Sequence, residues 1–130
     1  MVTALKEVFV PALKMRSFKG SFPHFRRFAQ DHIDLLTIQF DRHGGGFIIE
    51  VSCCGLEGVT TYWGKHIAPE NVRAWDLHPR NRHRLGSPVP GVEGHWFRFD
   101  LDSSFEEIAR SAVQYLEEAD SWWENNDNCR

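Results

Sequence analysis

The sequence predicts an α+β fold: a two-layer sandwich in which two helices cover one face of a mainly antiparallel, five-stranded sheet, in the order α-β-β-β-(long loop)-β-β-α. Three observations predict it. Residues 33–54 hold two runs rich in Ile, Leu, Val, Phe and Thr on either side of Gly44-Gly45-Gly46. Residues 103–124 carry apolar side chains at helical spacing, and residues 3–17 carry a shorter stripe of the same kind.

The first helix, 3–17, places Leu5, Val8, Phe9, Ala12 and Leu13 on one side. Pro11 removes one intrahelical hydrogen bond and disfavours helical geometry at Val10, so a kink or a break is expected there. Residues 22–56 are read as three strands. In the first, 22–30, Phe22, His24, Arg26 and Phe28 share one side, with Phe25 and Arg27 on the other. Asp31 and His32 turn the chain into the central hairpin.

Alternation sorts that hairpin by face. Leu36, Ile38 and Phe40 belong with Phe47, Ile49, Val51 and Cys53; Leu35, Thr37 and Gln39 belong with Ile48, Glu50, Ser52 and Cys54. One face is strongly apolar and the other mixed, the pattern of a sheet covered on one side and partly wet on the other. The glycine run supplies the positive φ of a hairpin turn. A phosphate-cradling loop would need a helix after the glycines, and a strand-like run follows instead.

Residues 57–81 are too long for an ordinary connection and are read as a lid, a binding loop or a segment with structure of its own. Residues 69–75 have the proline and neighbouring acid of a short helix start. Trp63 and Trp75 are expected to fold the loop down onto the domain. Residues 82–101 are read as two strands, 82–86 and 95–101, split by the Pro/Gly-rich 87–91. In the second, Phe97, Phe99 and Leu101 face inward. The last helix is capped by Ser103 or Ser104, with Glu106 or Glu107 three residues on. Its stripe is Phe105, Ile108, Ala109, Ala112, Val113, Leu116, Ala119 and Trp123.

At 130 residues the chain is one domain, 1–130, able to bury a core without staples. A net charge of −3 argues against a general nucleic-acid binder, which leans basic. No run approaches the ~18 apolar residues of a membrane span, and the N-terminus lacks a secretory pattern, so no membrane is expected. Cys53, Cys54 and Cys129 make an odd count. Cys53 and Cys54 point to opposite faces and cannot pair with each other, so no disulfide framework is expected. A reducing compartment, the cytoplasm, follows as the expectation.

Several short motifs occur together: Leu5-Lys6-Glu7 through Pro11-Ala12-Leu13-Lys14, then Phe18-Lys19-Gly20, Phe25-Arg26-Arg27, Ile38-Gln39, Arg82-His83-Arg84-Leu85-Gly86 and Trp96-Phe97. Over residues 3–125 the chain resembles a bacterial family of small single domains catalogued as domain of unknown function 4304. The resemblance implies no activity or catalytic residue. Its members are similar in size and style to small immunity-type proteins.

The candidate site is the mixed sheet face. If Leu85 points inward, Arg82 and Arg84 point out, joining Arg26, Gln39, Glu50, Trp96 and Arg98. Arg and Trp are the residues enriched at binding hot spots, and guanidinium forks match carboxylates and phosphates. The competing reading is a salt-bridged face in which Glu50 and Asp100 neutralise the arginines. Trp63, Trp75 and His78 are the candidates in the loop. A metal site built from His78 and His83 with His66, His95 or the cysteines lacks ligand spacing, and no metal or cofactor is expected. Cys54 approached by His24 or His95 has no neighbour that would activate a thiolate, and Glu106 and Glu107 are explained by the helix start.

The function these residues point to is a non-catalytic module that binds an acidic protein or peptide, of which an immunity role is one form. The alternative is a small-molecule or nucleotide-type ligand under the 57–81 loop, with or without hydrolysis. That reading predicts a pocket of several hundred Å³ where His and Arg converge. A monomer, or a weak homodimer through a sheet edge, is the expected state.

Overall fold

A computed structural model describes residues 1–86, 95–100, 104–126 and 129. The architecture is the expected α+β sandwich. A sheet of six antiparallel strands runs β1-β2-β3-β4-β7, with β8 also paired to β4. The strands are β1 (Lys19–Ser21), β2 (His24–Phe28), β3 (Ile33–Phe40), β4 (Gly46–Cys54), β7 (His83–Arg84) and β8 (Phe97–Arg98). A separate two-stranded hairpin is formed by β5 (Val59–Thr60) and β6 (His66–Ile67). The 87–91 loop, Leu101 and Ser103 lie outside the described residues.

The central hairpin forms as alternation predicts, with Leu36 opposite Val51, Ile38 opposite Ile49 and Phe40 opposite Phe47. Gly44 and Gly45 take the positive φ of its turn. The strand read at 22–30 is instead the second arm of a shorter hairpin. The chain already runs extended at Lys19–Ser21 and turns at Phe22-Pro23, whose peptide bond is cis. A three-residue strand containing a glycine has no alternation to read, so β1 was invisible in the sequence.

The N-terminal segment stays helical through Pro11. It is α-helical over Val2–Ala4, π-helical over Leu5–Phe9 and α-helical again over Val10–Met15. Val10 N–H reaches back to Leu5 O, a widened turn just before the proline. That widening takes up the missing donor and the ring's bulk, so the helix neither breaks nor restarts. The C-terminal helix is two helices, Phe105–Gln114 and Leu116–Asn125, meeting at Tyr115. Ser104 caps the first by accepting from Glu107 N–H at 3.1 Å. No helix among the described residues is long and apolar enough to cross a membrane.

These helices cover one sheet face. Leu5, Phe9, Leu13, Ala109, Ala112, Leu116, Ala119 and Trp123 pack onto Phe25, Leu36, Ile38, Phe47, Ile49 and Val51. Cys53, on this face, is disulfide-bonded to Cys129, with Cα atoms 5.2 Å apart. The odd cysteine count thus hid one pairing. The case for a reducing compartment drawn from that count loses its basis, because it took all three cysteines as thiols.

The second face is drier than its composition implied. Ile33, Leu35 and Cys54 form a smaller core with Val72, Ala74 and Leu77 from the 57–81 segment. That segment has structure of its own: the β5–β6 hairpin, then single 3₁₀ turns at Pro69–Asn71, Ala74–Asp76 and Pro79–Asn81 in place of a short helix. Polar residues of the mixed face anchor it. Arg26 Nη2 donates to Val72 O at 3.0 Å, Thr37 Oγ1 accepts from Ala74 N–H at 3.3 Å, and Ser52 Oγ donates to Asn81 O at 2.9 Å. Side chains that read as solvent-facing instead satisfy the backbone of a covering loop.

Candidate functional site

The second face divides into a covered half and an open half, and the sequence candidates fall on both. On the open half, Arg82 Nη1 donates to Glu50 Oε1 at 2.8 Å, and Arg98 is paired with Asp100. Arg84 lies opposite Glu50 on β7 and stacks its guanidinium over Trp96 at 5.3 Å from the ring centroid. Gln39 is exposed near the end of β3. Arg98 sits opposite Gly46, at the far end of β4 from Cys54. Arg26 is on β2, with β3 and β4 between it and β7. Arg26, Arg84 and Arg98 therefore do not gather, and two of the face's arginines, Arg82 and Arg98, are held by carboxylates.

A different constellation forms where the covering segment meets β1 and β2. There a groove of about 710 Å³ is lined by His24 and Arg26 from β2 and by Lys65, His66, Glu70 and Arg73 from the 57–81 segment. Arg26, Lys65 and Arg73 line it with one carboxylate, Glu70, and Arg73 is also paired with Asp76 at 3.4 Å. The strands supply His24 and Arg26 by alternation: both lie on the second face, opposite Thr37 and Leu35. The 3₁₀ turn at Ala74–Asp76 supplies Arg73, whose N–H donates to Asp76 Oδ2 at 2.8 Å.

The groove's electrostatics bear the mark of crowded positive charge. Burial, then Arg73 and Arg26, hold the His24 imidazolium below the usual histidine range, against a smaller opposing pull from Asp76. Burial and Arg73 likewise lower Arg26, while Cys54 and Glu70 oppose them. His24 Nδ1 is 3.0 Å from Thr37 Oγ1, so a hydroxyl holds the ring where a general base would have a carboxylate. Trp75 packs edge-on against His24 at 4.5 Å between centroids, and Arg73 lies over the indole at 5.3 Å.

Trp75 thus folds down as expected, but Trp63 does not: it is 62% exposed at the tip of the β5–β6 hairpin. His78 caps the last 3₁₀ turn, its Nδ1 accepting from Arg80 N–H at 3.2 Å. Sequence reasoning missed Lys65, His66 and Arg73 as site residues. The available signal was the density of basic residues in a segment too long to be a plain connection. Among the described residues, no three His, Cys, Asp or Glu side chains gather as metal ligands.

The family model for a domain of unknown function (DUF4304) matches residues 9–126. The chain belongs to that family. No curated protein and no solved structure gave a match. The match begins within the N-terminal helical segment and spans the whole sheet and the C-terminal helices, so the groove lies within the family's domain.

Cys54 is buried beside this site, its thiol pushed up to about 11 by burial and by Glu57, with Arg26 opposing. At neutral pH almost none of it is thiolate, the reactive form. In the native protein a maleimide should modify Cys54 at least tenfold more slowly than a free thiol at pH 7, given a shift of about two units. The rate should climb as pH rises toward 11. Rapid labelling of native protein at pH 7, located at Cys54 by peptide mapping, would contradict this.

Proposed function

We propose that this domain is a non-catalytic binding module that takes an acidic segment of a partner protein into the groove between β2 and the 57–81 segment. The observation that carries the reading is the convergence of Arg26, Arg73 and Lys65 with His24 and His66 around one concave surface. Guanidinium and ammonium groups held close together repel one another, and an anionic ligand relieves that repulsion. The sequence reading placed acidic-partner recognition on the open sheet face together with the 57–81 loop. On that face Arg82 is held by Glu50 and Arg98 by Asp100; in the groove Arg73 is paired with Asp76, and Arg26, Lys65 and the two histidines are the further positive or protonatable groups that support placing the proposed site there. An immunity-type role in a bacterial cytoplasm is one concrete form of the proposal; there the Cys53–Cys129 bond would face a reducing thiol pool.

A labelled poly-glutamate peptide, followed by fluorescence anisotropy at low salt, tests the site. Lys65→Ala and Arg73→Ala should each weaken binding about threefold and together about tenfold, the scale of exposed charge pairs. Added salt should weaken it further. Protonating His24, which burial and Arg73 hold below the usual histidine range, adds a positive charge to the groove and should tighten binding at any pH where the peptide's carboxylates stay ionised. Arg84→Ala and Arg98→Ala should leave it unchanged. Loss of binding in the latter pair, with Lys65→Ala and Arg73→Ala silent, would return the site to the sheet face.

A second reading has its own support: about 710 Å³ lies within the range of small-molecule pockets. Displacement of the peptide by inorganic phosphate or a nucleotide at low concentration would favour it.

A further inference from the structure

The β5–β6 hairpin ends in an aromatic pair that the fold displays rather than buries. Tyr62 is 94% exposed and Trp63 is 62% exposed, and their rings meet edge to face with centroids 4.8 Å apart. Scattered exposed aromatics are ordinary, but this pair sits on a turn closed at its base by hydrogen bonds among Thr61, Gly64 and Lys65. Thr61 N–H donates to Lys65 O at 2.8 Å, and Gly64 N–H donates to Thr61 O at 2.9 Å. The Thr61 hydroxyl donates to Lys65 O at 3.1 Å and accepts from Lys65 N–H at 3.0 Å. Thr61 itself is buried, and Gly64 takes a φ of +88° that a larger residue would resist. A turn held this way fixes the backbone that carries both rings before any partner arrives, which lowers the ordering cost of binding.

The next two residues, Lys65 and His66, line the groove. Aromatic tip and basic wall are therefore carried by one short hairpin.

We propose that Tyr62 and Trp63 are the anchor of this interface, inserting among apolar or aromatic side chains of the same acidic protein segment that the groove binds. The inference rests on the groove reading for the partner's charge, and on the hairpin alone for the anchor. Tyr and Trp are the side chains that supply the most contact area for the least lost rotamer freedom. The adjoining cations specify acidic groups beside the apolar ones. Nucleic acid fits less well, because the chain's net charge is −3 and phosphate binders lean basic.

Two polymers separate the two ideas: poly-glutamate, and a glutamate–tyrosine copolymer of similar length. The native protein should bind the copolymer about tenfold tighter than poly-glutamate, the effect of one good aromatic anchor. The Tyr62→Ser/Trp63→Ser double variant should lose that gain and keep its affinity for poly-glutamate, with an unchanged unfolding curve, since both side chains stand in water. Arg73→Ala should weaken both polymers alike. Equal affinity for the two polymers, or a gain that survives in the double variant, overturns the anchor and leaves the groove standing. A Tyr62/Trp63-dependent gain without any binding of poly-glutamate supports the anchor and strikes the groove. Binding of neither polymer removes both. Tighter binding to an oligothymidylate, or self-association in sedimentation that the double variant abolishes, overturns the acidic-protein assignment in favour of nucleic acid or a second copy.

Discussion

Trp123→Ala should destabilise the domain by about 3–5 kcal/mol, the range for removing a large aromatic from a packed core. Trp123 is 2% exposed on the Leu116–Asn125 helix and ties that helix to β2 and β4. Its ring meets Phe18 at 5.2 Å between centroids, and Arg27 lies over it at 5.1 Å. Its Nε1 donates to Ser52 O at 2.8 Å, so truncation empties a cavity and also leaves a buried carbonyl without that donor. Trp123→Phe separates the two losses. It keeps most of the packing and should cost about 1–2 kcal/mol, mainly the hydrogen bond. Urea unfolding followed by circular dichroism measures both. A cost below about 1 kcal/mol for the alanine variant would mean that this helix is not docked as described.

Opening the Cys53–Cys129 bond should have an effect of similar size. The two cysteines are 76 residues apart, so the bond restricts a long stretch of the unfolded chain. Loop-closure entropy alone gives on the order of 4 kcal/mol for a loop of that length, a figure that native-state strain or residual structure reduces. Cys129→Ser should lower the urea midpoint by a corresponding amount, and a dithiol reductant should lower the native protein to the same level while leaving the variant unmoved. Air-oxidised, denatured protein should titrate as one free thiol, Cys54, and as all 3 cysteines after reduction. Three thiols before reduction would exclude the bond.

Arg27 shows why such contacts escape a sequence reading. Its place on the helix-facing side of β2 followed from alternation. Its partners did not: it bonds Asp34 on the next strand at 2.8 Å and Asp120 on the last helix at 3.3 Å. Nothing in the order of the residues ties position 27 to position 120. The groove was illegible for the same reason. His24 and Arg26 were placed on the correct face, but Lys65 and Arg73 come from a segment whose path depends on Thr37, Ser52 and Arg26 meeting its backbone.

Local rules determined much of this protein by themselves. Period-two alternation around Gly44 and Gly45 set the central hairpin and its faces, and the period-three-to-four stripe ending in Trp123 set the C-terminal helical segment and its buried side. Spacing narrowed the cap to Ser103 or Ser104, and Ser104 takes it. These features depend on neighbours within a few positions, so the chain carries them openly. Tertiary structure decided the rest: the covering of the second face, the Cys53–Cys129 pairing, the exposure of Trp63, and the meeting of Arg26, Arg73 and Lys65. Each turns on which residues far apart in the chain meet and which do not, and that depends on how whole layers settle against one another to bury apolar surface and satisfy backbone hydrogen bonds.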